Sequence, residues 1–255
     1  MEGNSLFLIG TAGSGKSRMT AAMARWLKEQ SFDAVTVNLD PGAERLPYAP
    51  DVDVRDWIVL SEVMDKYELG PNGAQVLAAD LLATRIRNLE EALEEFDTDV
   101  VLFDTPGQTE LFVFREGGRY VVDYFRARAS IAFLIDPFLA RDTSGFVGQL
   151  LLSATAQFRF QVPLLNVLSK ADLVETAERE RLLSWGADPA MLTESLLSEK
   201  ATLHAQLNTG VHALLQEFGT ASRLVAASAE TLQGLEEVYA FVQETYAASE
   251  DIDKR

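Results

Sequence analysis

A glycine-rich segment that ends in a lysine and a serine follows a short apolar run near the amino terminus. The segment Gly10–Ser17 has the spacing G-x-x-x-x-G-K-S, and the run before it, Leu6–Ile9, is typical of a buried strand. Glycines at this spacing let backbone N–H groups turn toward phosphates, and the lysine adds a positive charge beside them. The pattern therefore predicts a binding site for a nucleoside triphosphate. The residues expected to contact its phosphates are Gly13, Ser14, Gly15, Lys16, Ser17 and Arg18.

Side chains suited to magnesium and to phosphate charge stand at three places in the chain. Ser17 offers a hydroxyl to Mg²⁺, and Lys16 beside it is predicted to be a catalytic charge near the β- and γ-phosphates. Asp104 follows the third apolar run, where a carboxylate can hold Mg²⁺ through water. Asp40 follows the second run, and its carboxylate is predicted to approach the γ-phosphate, Mg²⁺ or the attacking water. The alternative for Asp40 is a turn-forming role in Asp-Pro-Gly.

Two residues shortly after Asp104 are suited to hydrolysis. The segment reads Asp-Thr-Pro-Gly-Gln, so the N–H of Gly107 can sense a γ-phosphate and the Gln108 side chain can orient a water molecule for attack. Taken alone, such a segment is an ordinary Pro-Gly turn. In a chain that also carries the glycine-rich segment, it predicts hydrolysis of the bound triphosphate.

A further polar segment indicates which base is bound. Residues 169–172 read Ser-Lys-Ala-Asp, follow an apolar run and are similar to the guanine-selecting N/T-K-x-D element of GTPases. In that element the aspartate accepts hydrogen bonds from two donors of guanine that adenine lacks. The first position departs from the usual Asn or Thr, and the alternative is an exposed lysine and aspartate at the start of a helix. The residues predicted to hold guanine are Ser169, Lys170 and Asp172, with backbone contacts from Ser228 and Ala229.

The elements that must position these segments alternate between apolar runs and amphipathic helical patterns. Near-continuous apolar strands separated by helices predict a parallel sheet covered on both faces. The expected fold class is α/β, a P-loop NTPase three-layer sandwich with a mostly parallel sheet. The expected strands are Leu6–Ile9, Ala34–Asn38, Val100–Phe103, Ala132–Ile135, Leu164–Leu168 and Leu224–Ala227.

Two segments between strands are longer than a simple crossover requires. The first contains a proline-rich loop, a helix from about Val54, a break at residues 70–73 and a second helix, and the other is helical with a break at 186–189. Insertions of this length carry function, contact a partner or add cover to the sheet. The predicted boundaries are 1–246 for a single domain, about 41–97 and 173–221 for the insertions, and 247–255 for a flexible acidic tail.

The composition excludes several classes of protein. A formal net charge of −17 argues against direct nucleic-acid binding, and the absence of cysteine excludes disulfides and thiolate metal sites. No apolar run approaches the roughly 20 residues of a membrane helix, and no signal segment opens the chain, so we expect a cytoplasmic protein that binds no membrane. The acidic surface fits either a host with a salty cytoplasm or an ordinary acidic protein. His204 and His212 have no carboxylate at metal-ligand spacing and are predicted to lie on a helix surface.

The tripeptide Gly70-Pro71-Asn72 is, by itself, only a tight turn between two helices. Within this chain it completes a set of motifs that resembles the GPN-loop GTPases, a family named for this tripeptide. The set includes the G-x-x-x-x-G-K-S segment, Asn-Leu-Asp-Pro after the second strand, Asp-Thr-Pro-Gly-Gln with a glutamate two residues beyond, and Leu-Ser-Lys-Ala-Asp-Leu. The resemblance covers most of the chain, from Leu6 to about Glu230.

The resemblance implies a homodimer of the archaeal type, in which the Gly-Pro-Asn loop of each protomer reaches the nucleotide of its partner. Asn72 would then stabilise the phosphoryl group in trans through preorganised hydrogen bonds. Family members are associated with the assembly and nuclear delivery of RNA polymerase in eukaryotes, so a protein client is also implied. Arg18 departs from the threonine or serine that often follows Ser17 in the family.

Two functions from different classes remain open at this point. The first is a Mg²⁺-dependent, GTP-hydrolysing molecular switch whose catalytic residues are Asp40, Asn72, Gln108 and Lys16. The second is a nucleotide-gated assembly or chaperone module for a protein client, with negligible hydrolysis. A third function, that of an ATP-dependent kinase or ATPase, is disfavoured by Lys170 and Asp172.

Overall fold

The structure, a computed structural model, describes residues 3–198, 203–217 and 223–253. The strands of this part of the chain are β1 Asn4–Gly10, β2 Ala34–Asn38, β3 Val52–Asp53, β4 Val100–Asp104, β5 Ala129–Ile135, β6 Leu164–Leu168 and β7 Leu224–Ala226. They form one sheet in the order β3-β2-β4-β1-β5-β6-β7, and each neighbouring pair runs parallel. The predicted α/β fold class is confirmed.

The side chains of the central strand β1 alternate between two apolar cores, one on each face of the sheet. Phe7 and Ile9 belong to one core, and Leu6 and Leu8 belong to the other. All four side chains are fully buried, which explains why the strand is a continuous apolar run and does not alternate with polar residues. A sheet that is apolar on both faces must be covered by helices on both.

Helices form the two outer layers. They are α1 Lys16–Glu29, α2 Leu60–Tyr67, α3 Pro71–Leu81, α4 Ile86–Glu94, α5 Thr109–Val113, α6 Glu116–Tyr124, α7 Thr143–Phe160, α8 Thr176–Ala187, α9 Pro189–Ser198, α10 Leu203–Glu217 and α11 Leu235–Asp253. The buried residues of α1 and α11 pack in the core of one face, and those of α2 to α10 pack in the core of the other. Within the described residues, no helix combines the length and the apolar character that crossing a membrane requires.

All six predicted strands are present, with ends that differ by a few residues. The strand that the sequence did not predict is β3, which pairs with the end of β2 at the edge of the sheet. Two residues are too few to produce a detectable periodicity. The helix predicted from about Val54 begins instead at Leu60, because residues 54–56 form a short 3₁₀ turn.

The Gly-Pro-Asn tripeptide begins a helix. Gly70 immediately precedes α3, and Pro71 is the first helical residue, a position where the N–H that proline lacks would have no partner within the helix. Asn72 therefore lies in the first turn of α3, and the predicted break at residues 70–73 is wrong in extent. All three residues of the tripeptide are exposed to solvent.

Helix α3 packs directly against α6 through a glycine. A Cβ atom at Gly117 of α6 would overlap the carbonyl oxygen of Ala79 in α3. Any side chain at this position would therefore force the two helices apart. The absence of a side chain lets the two backbones touch, and the helix that begins with the tripeptide is thereby held against α6.

The second insertion is helical over its described residues, as predicted, and the break between α8 and α9 is confined to Asp188. Residues 199–202 and 218–221, which the insertion also includes, lie outside the described residues. Helix α11 continues to Asp253, so most of the predicted acidic tail is helical, while residues 254 and 255 are not described. The flexibility of the tail stays a prediction, as do the domain boundaries.

His212 is the site of one wrong prediction. It was expected on a helix surface, but only 1% of the residue is exposed. Its Nδ1 lies 3.3 Å from the Thr193 hydroxyl of the neighbouring helix α9, and its Nε2 lies 3.3 Å from the Gln216 amide. Burial lowers the pKa of the ring, so His212 is a core histidine with polar neighbours. The His204 side chain lies outside the described part of the structure.

Candidate functional site

A cleft of about 1200 Å³ opens where the carboxyl ends of the strands meet the first helix. This edge of a parallel sheet is where ligands bind in open α/β folds. Most of the residues predicted to form the site line the cleft: Gly13, Ser14, Gly15, Lys16, Ser17, Arg18, Asp40, Gly107, Ser169, Lys170, Asp172 and Ala229. Residues from the segments predicted to bind phosphate, metal and base, which are far apart in the sequence, therefore line one cleft.

The glycine-rich loop has the backbone that its sequence demands. Gly13 and Gly15 have φ angles of +79° and +98°, in the left-handed region that favours glycine. A Cβ atom at Gly13 would meet nothing within 4 Å, so glycine is needed here for its conformation and not for space. The buried hydroxyls of Thr11 and Ser14 have no hydrogen-bond partner among the described residues.

Lys16 begins α1 and is almost fully buried beneath this loop. Its ammonium donates to the carbonyl oxygens of Gly10 at 2.8 Å, Thr11 at 3.1 Å and Gly107 at 3.1 Å. Burial lowers the lysine pKa to about 8, although nearby Asp104 and other carboxylates oppose the shift. The side chain is therefore mostly charged at neutral pH. Anionic phosphate oxygens are stronger hydrogen-bond acceptors than carbonyl oxygens, so the Lys16 ammonium would exchange its carbonyl partners for phosphate oxygens.

Asp104 ends β4 and is 1% exposed. One carboxylate oxygen, Oδ2, accepts a hydrogen bond of 3.0 Å from the Tyr48 hydroxyl, and the other, Oδ1, is buried with no hydrogen-bond partner in the described structure. Burial raises the pKa of this carboxyl to about 6, and the Ser17 and Tyr48 hydroxyls oppose the shift.

The donors at this point fit Mg²⁺. A serine hydroxyl and a carboxylate are hard oxygen ligands, and Mg²⁺ in nucleotide sites usually takes one or two protein oxygens and completes its shell with water and phosphate. The described residues contain no cluster of three His, Cys, Asp or Glu side chains that could hold a metal alone. Ser17 and Asp104 are therefore suited to a metal that arrives with a nucleotide.

Asp40 makes the turn-forming contact that was one of its two predicted roles, and its role toward phosphate or Mg²⁺ stays a prediction. Its Oδ1 accepts from the Gly42 N–H at 2.9 Å, which is the turn-forming contact of Asp-Pro-Gly. Its Oδ2 accepts from the Gly107 N–H at 3.2 Å. The Asp40 carboxylate therefore accepts a hydrogen bond from the same Gly107 N–H that was predicted to contact a γ-phosphate.

At the end of the cleft near the residues predicted to hold guanine, two serine hydroxyls form hydrogen bonds within the protein. Ser169 is buried and donates to the Ile135 carbonyl at 3.1 Å, so this departure from Asn or Thr has a structural role. Ser228 donates to Asp172 Oδ1 at 2.6 Å and also accepts from the N–H groups of Glu230 and Thr231. One oxygen of Asp172 is therefore held in place while the carboxylate lines the cleft.

Lys170 connects the base end with the phosphate loop. Its backbone is in the left-handed region, with φ +53°, and its ammonium donates to Asp136 Oδ2 at 2.8 Å. A Cβ atom at Gly15 would lie 3.9 Å from its Cε, so the lysine stem passes over the glycine-rich loop. Asp136, at the end of β5, was not predicted as a site residue, because nothing in its local sequence indicates the pairing.

Two predicted catalytic residues lie outside the cleft lining. Gln108 is exposed at the start of α5 and has no side-chain hydrogen bond in the described structure. Asn72 is exposed in the first turn of α3. The same helix reaches the edge of the cleft, because a Cβ atom at Gly42 would lie 3.1 Å from the Gln75 side-chain nitrogen.

The cleft lining also includes residues that were not predicted, among them two arginines and a threonine. Arg25 lies two turns after Arg18 on α1, and Arg45 projects from the loop after β2. The third is Thr105, whose hydroxyl donates to the Leu8 carbonyl at 2.6 Å. A spacing of seven residues between two arginines places them on one helix face, and this signal was available in the sequence.

Comparisons with known proteins identify the family of the chain. A family described as "Conserved hypothetical ATP binding protein" matches residues 8–248. GPN-loop GTPase 3 of Dictyostelium discoideum is 31% identical over 216 residues, which cover 83% of this chain and 76% of that protein. GPN-loop GTPase PAB0955 of Pyrococcus abyssi is 30% identical over 246 residues, 96% of this chain and 98% of that protein.

A solved structure is also similar over nearly the whole chain. The apo-form crystal structure of the Pyrococcus abyssi GTPase PAB0955 has a TM-score of 0.85 and 29% sequence identity, and the match covers 96% of this chain and 98% of that one. The resemblance inferred from the motifs is thereby confirmed. The family description names ATP, whereas the names of the relatives specify a GTPase, so the choice of base depends on the site itself.

Replacing Asp104 by asparagine is expected to stabilise the nucleotide-free protein above pH 6. The carboxyl keeps its proton to about pH 6 when folded and to about pH 4 when unfolded, so its contribution to stability is lost as the pH rises through this range. The variant should exceed the wild type in free energy of unfolding by about 1–3 kcal/mol at pH 7, since one pKa unit corresponds to about 1.4 kcal/mol. Chemical denaturation in EDTA measures this difference.

The matched control for this experiment is Asp97→Asn, which changes an exposed carboxylate outside the cleft. The advantage of Asp104→Asn over the wild type should grow between pH 4 and pH 6 and then level off. An advantage that is constant over this range would contradict the assignment of a raised pKa to Asp104.

Proposed function

Because the chain belongs to the family of GPN-loop GTPases, we propose that it is a cytoplasmic molecular switch that binds GTP with Mg²⁺ and hydrolyses it to GDP and phosphate. The observation that carries the proposal is a single cleft lined by the glycine-rich loop, Asp40, Gly107 and Asp172. Phosphate-binding, water-positioning and base-selecting groups have to meet in this way for hydrolysis of a guanine nucleotide.

The phosphate end of the cleft supplies the electrostatic part of catalysis. Lys16 and the N–H groups of the glycine-rich loop bind the β- and γ-phosphates and offset their charge in a buried site, where such contacts are strong. Bound Mg²⁺ would neutralise the same oxygens, held by the Ser17 hydroxyl and, through water, by Asp104. The Lys16 ammonium exchanges its contacts with the Gly10 and Gly107 carbonyl oxygens for phosphate oxygens, because the carbonyls are weaker acceptors.

A γ-phosphate would compete with Asp40 for the Gly107 N–H. The contact between Asp40 Oδ2 and this N–H is 3.2 Å, long for a hydrogen bond to a carboxylate. When a phosphate oxygen takes the donor, the Asp40 carboxylate is freed to accept from the attacking water, which Gln108 would help to orient. GDP leaves the Asp40 contact in place, so the two nucleotides select different positions of this segment.

The base is assigned to guanine through Asp172. Its carboxylate offers acceptors to the N1–H and the exocyclic amino group of guanine, and adenine would leave those acceptors unpaired. The Ser228 hydroxyl fixes one oxygen and thereby the plane of the carboxylate. Ala229, next to it, lines the cleft and is expected to contact the guanine O6 through its backbone.

The proposal includes a homodimer in which Asn72 acts in trans. In this chain Asn72 is exposed outside the cleft lining, on a helix whose Gln75 reaches the cleft edge at Gly42. A side chain in this position has no phosphate of its own to contact and is free to enter the site of a second copy. Its amide would donate to charge that develops on the transferred phosphoryl group.

A role in assembling a protein client, with negligible hydrolysis, is the second candidate. The observation in its favour is a set of exposed apolar side chains on the second insertion. They are Met191, Leu197, Leu207 and Leu214, of which Leu197 is 69% exposed. Exposed apolar groups on neighbouring helices are suited to a protein partner.

The purified protein with Mg²⁺ is expected to release phosphate from GTP, and Lys16→Ala should abolish the release, because it removes the charge that the phosphates contact. Phosphate release is measured at a salt concentration at which both proteins are folded by circular dichroism. A wild-type rate no greater than that of Lys16→Ala would contradict hydrolysis. Nucleotide-dependent capture of a protein partner without turnover would favour the second candidate.

Asp172→Asn is expected to weaken GTP binding by about 10- to 100-fold, because a charged acceptor for two donors of the base is lost. ATP binding should change little, so the preference for GTP over ATP shrinks. Competition of each nucleotide against a fluorescent GDP analogue measures both affinities. Asp97→Asn serves as the control, and a wild-type protein that prefers ATP would contradict the assignment of the base.

Asn72→Ala should reduce turnover while leaving GTP affinity unchanged, because Asn72 acts only on the partner's reacting phosphate. The trans arrangement is tested by mixing this variant with Lys16→Ala. Each variant alone has no complete site, whereas a mixed dimer combines the intact nucleotide site of one chain with the intact Asn72 of the other. GTP hydrolysis should therefore reappear on mixing, and its absence in a dimer that forms normally would contradict action in trans.

A further inference from the structure

Tyr48 connects the loop after β2 to the proposed metal site. It is half-buried, and its hydroxyl donates to Asp104 Oδ2 at 3.0 Å, across 56 residues of sequence. No motif in the sequence drew attention to it. Its loop neighbours Arg45, Leu46 and Pro47 line the cleft, and Tyr48 lies behind this lining, against Asp104.

The loop that presents Tyr48 is braced at both ends. At its start, Asp40 accepts from the Gly42 N–H, and Arg55 donates to the Ala43 carbonyl at 2.8 Å. At its end, Asp51 Oδ2 accepts from both the N–H and the hydroxyl of Thr36, at 2.8 and 2.7 Å. These contacts hold the backbone on either side of Tyr48, so the phenol is held in position by the loop and not by its contact with Asp104 alone.

The hydrogen bond from Tyr48 gives the two carboxylate oxygens of Asp104 different surroundings. Oδ2 is occupied by Tyr48, whereas Oδ1 is buried and has no hydrogen-bond partner among the described residues. A carboxylate that is fixed through one oxygen keeps its other oxygen in a defined place. Groups that orient a metal-binding carboxylate in this way typically contribute 10- to 100-fold to metal affinity or activity.

We propose that Tyr48 is a positioning residue for Mg²⁺, which holds Asp104 so that Oδ1 receives a water molecule of the metal. The inference rests on the proposed function, because the metal arrives with the nucleotide.

The test is Tyr48→Phe, which removes the hydroxyl and keeps the ring. The affinity for a fluorescent GDP analogue is measured against Mg²⁺ concentration and again in EDTA. We expect the Mg²⁺ concentration at half-maximal effect to rise about 10-fold or more. The affinity in EDTA should equal that of the wild type. Tyr239→Phe is the matched control, because it removes a phenol hydroxyl that accepts from Gln243 at 2.7 Å outside the cleft.

A double-mutant cycle separates positioning from a general effect on the loop. In an Asp104→Asn background, adding Tyr48→Phe should leave the Mg²⁺ dependence unchanged, since the group that Tyr48 positions is already lost. An unchanged Mg²⁺ dependence in Tyr48→Phe alone, or an equal loss of affinity with and without Mg²⁺, would overturn the inference. If the wild type itself binds no guanine nucleotide, the proposed function fails as well, whereas Mg²⁺-dependent binding by the wild type restricts a failure to Tyr48.

Discussion

The parallel register between β1 and β4 is the constraint on which the site depends. Leu8 pairs with Asp104, so the glycine-rich loop and the segment after Asp104 leave the sheet at the same level. The adjacent pair, Phe7 and Phe103, stacks inside the core with ring centroids 4.3 Å apart and planes 7° from parallel. A slip of one residue would move this stack to the wrong face of the sheet, and the Asp104 carboxyl would turn away from the Ser17 hydroxyl.

Threonine hydroxyls connect the two loops above this register. Thr105 donates to the Leu8 carbonyl and Thr109 donates to the Gly10 carbonyl, at 2.6 and 2.7 Å. These bonds prepare the cleft before a ligand arrives, but the arrangement also buries charge. Lys16 and Asp104 both have pKa values shifted toward their neutral forms by burial, so the folded protein is less stable than one with uncharged groups in these places.

Features that depend on neighbouring residues could be predicted from the sequence, whereas features that depend on residues far apart in the chain could not. The glycine-rich loop and the main strands depend on local patterns, namely glycine spacing and apolar runs, and these were predicted well. Tyr48 and Asp136 acquire their roles from Asp104 and Lys170, which are 56 and 34 residues away, and no local pattern records such a pairing. The start of α3 could have been predicted from Pro71, because proline is favoured at the first helical position.

The glycine contact between α3 and α6 has a mechanical consequence. At Gly117 the two backbones meet with no side chain between them, and α6 is joined to the Gly107 segment through the short helix α5. Close-packed backbones have no soft layer that could absorb a displacement, so the two helices turn together. Ala79 lies near one end of α3 and the Gly-Pro-Asn tripeptide lies at the other. A small rotation of α3 about this contact would therefore displace Asn72 by a larger distance than Ala79.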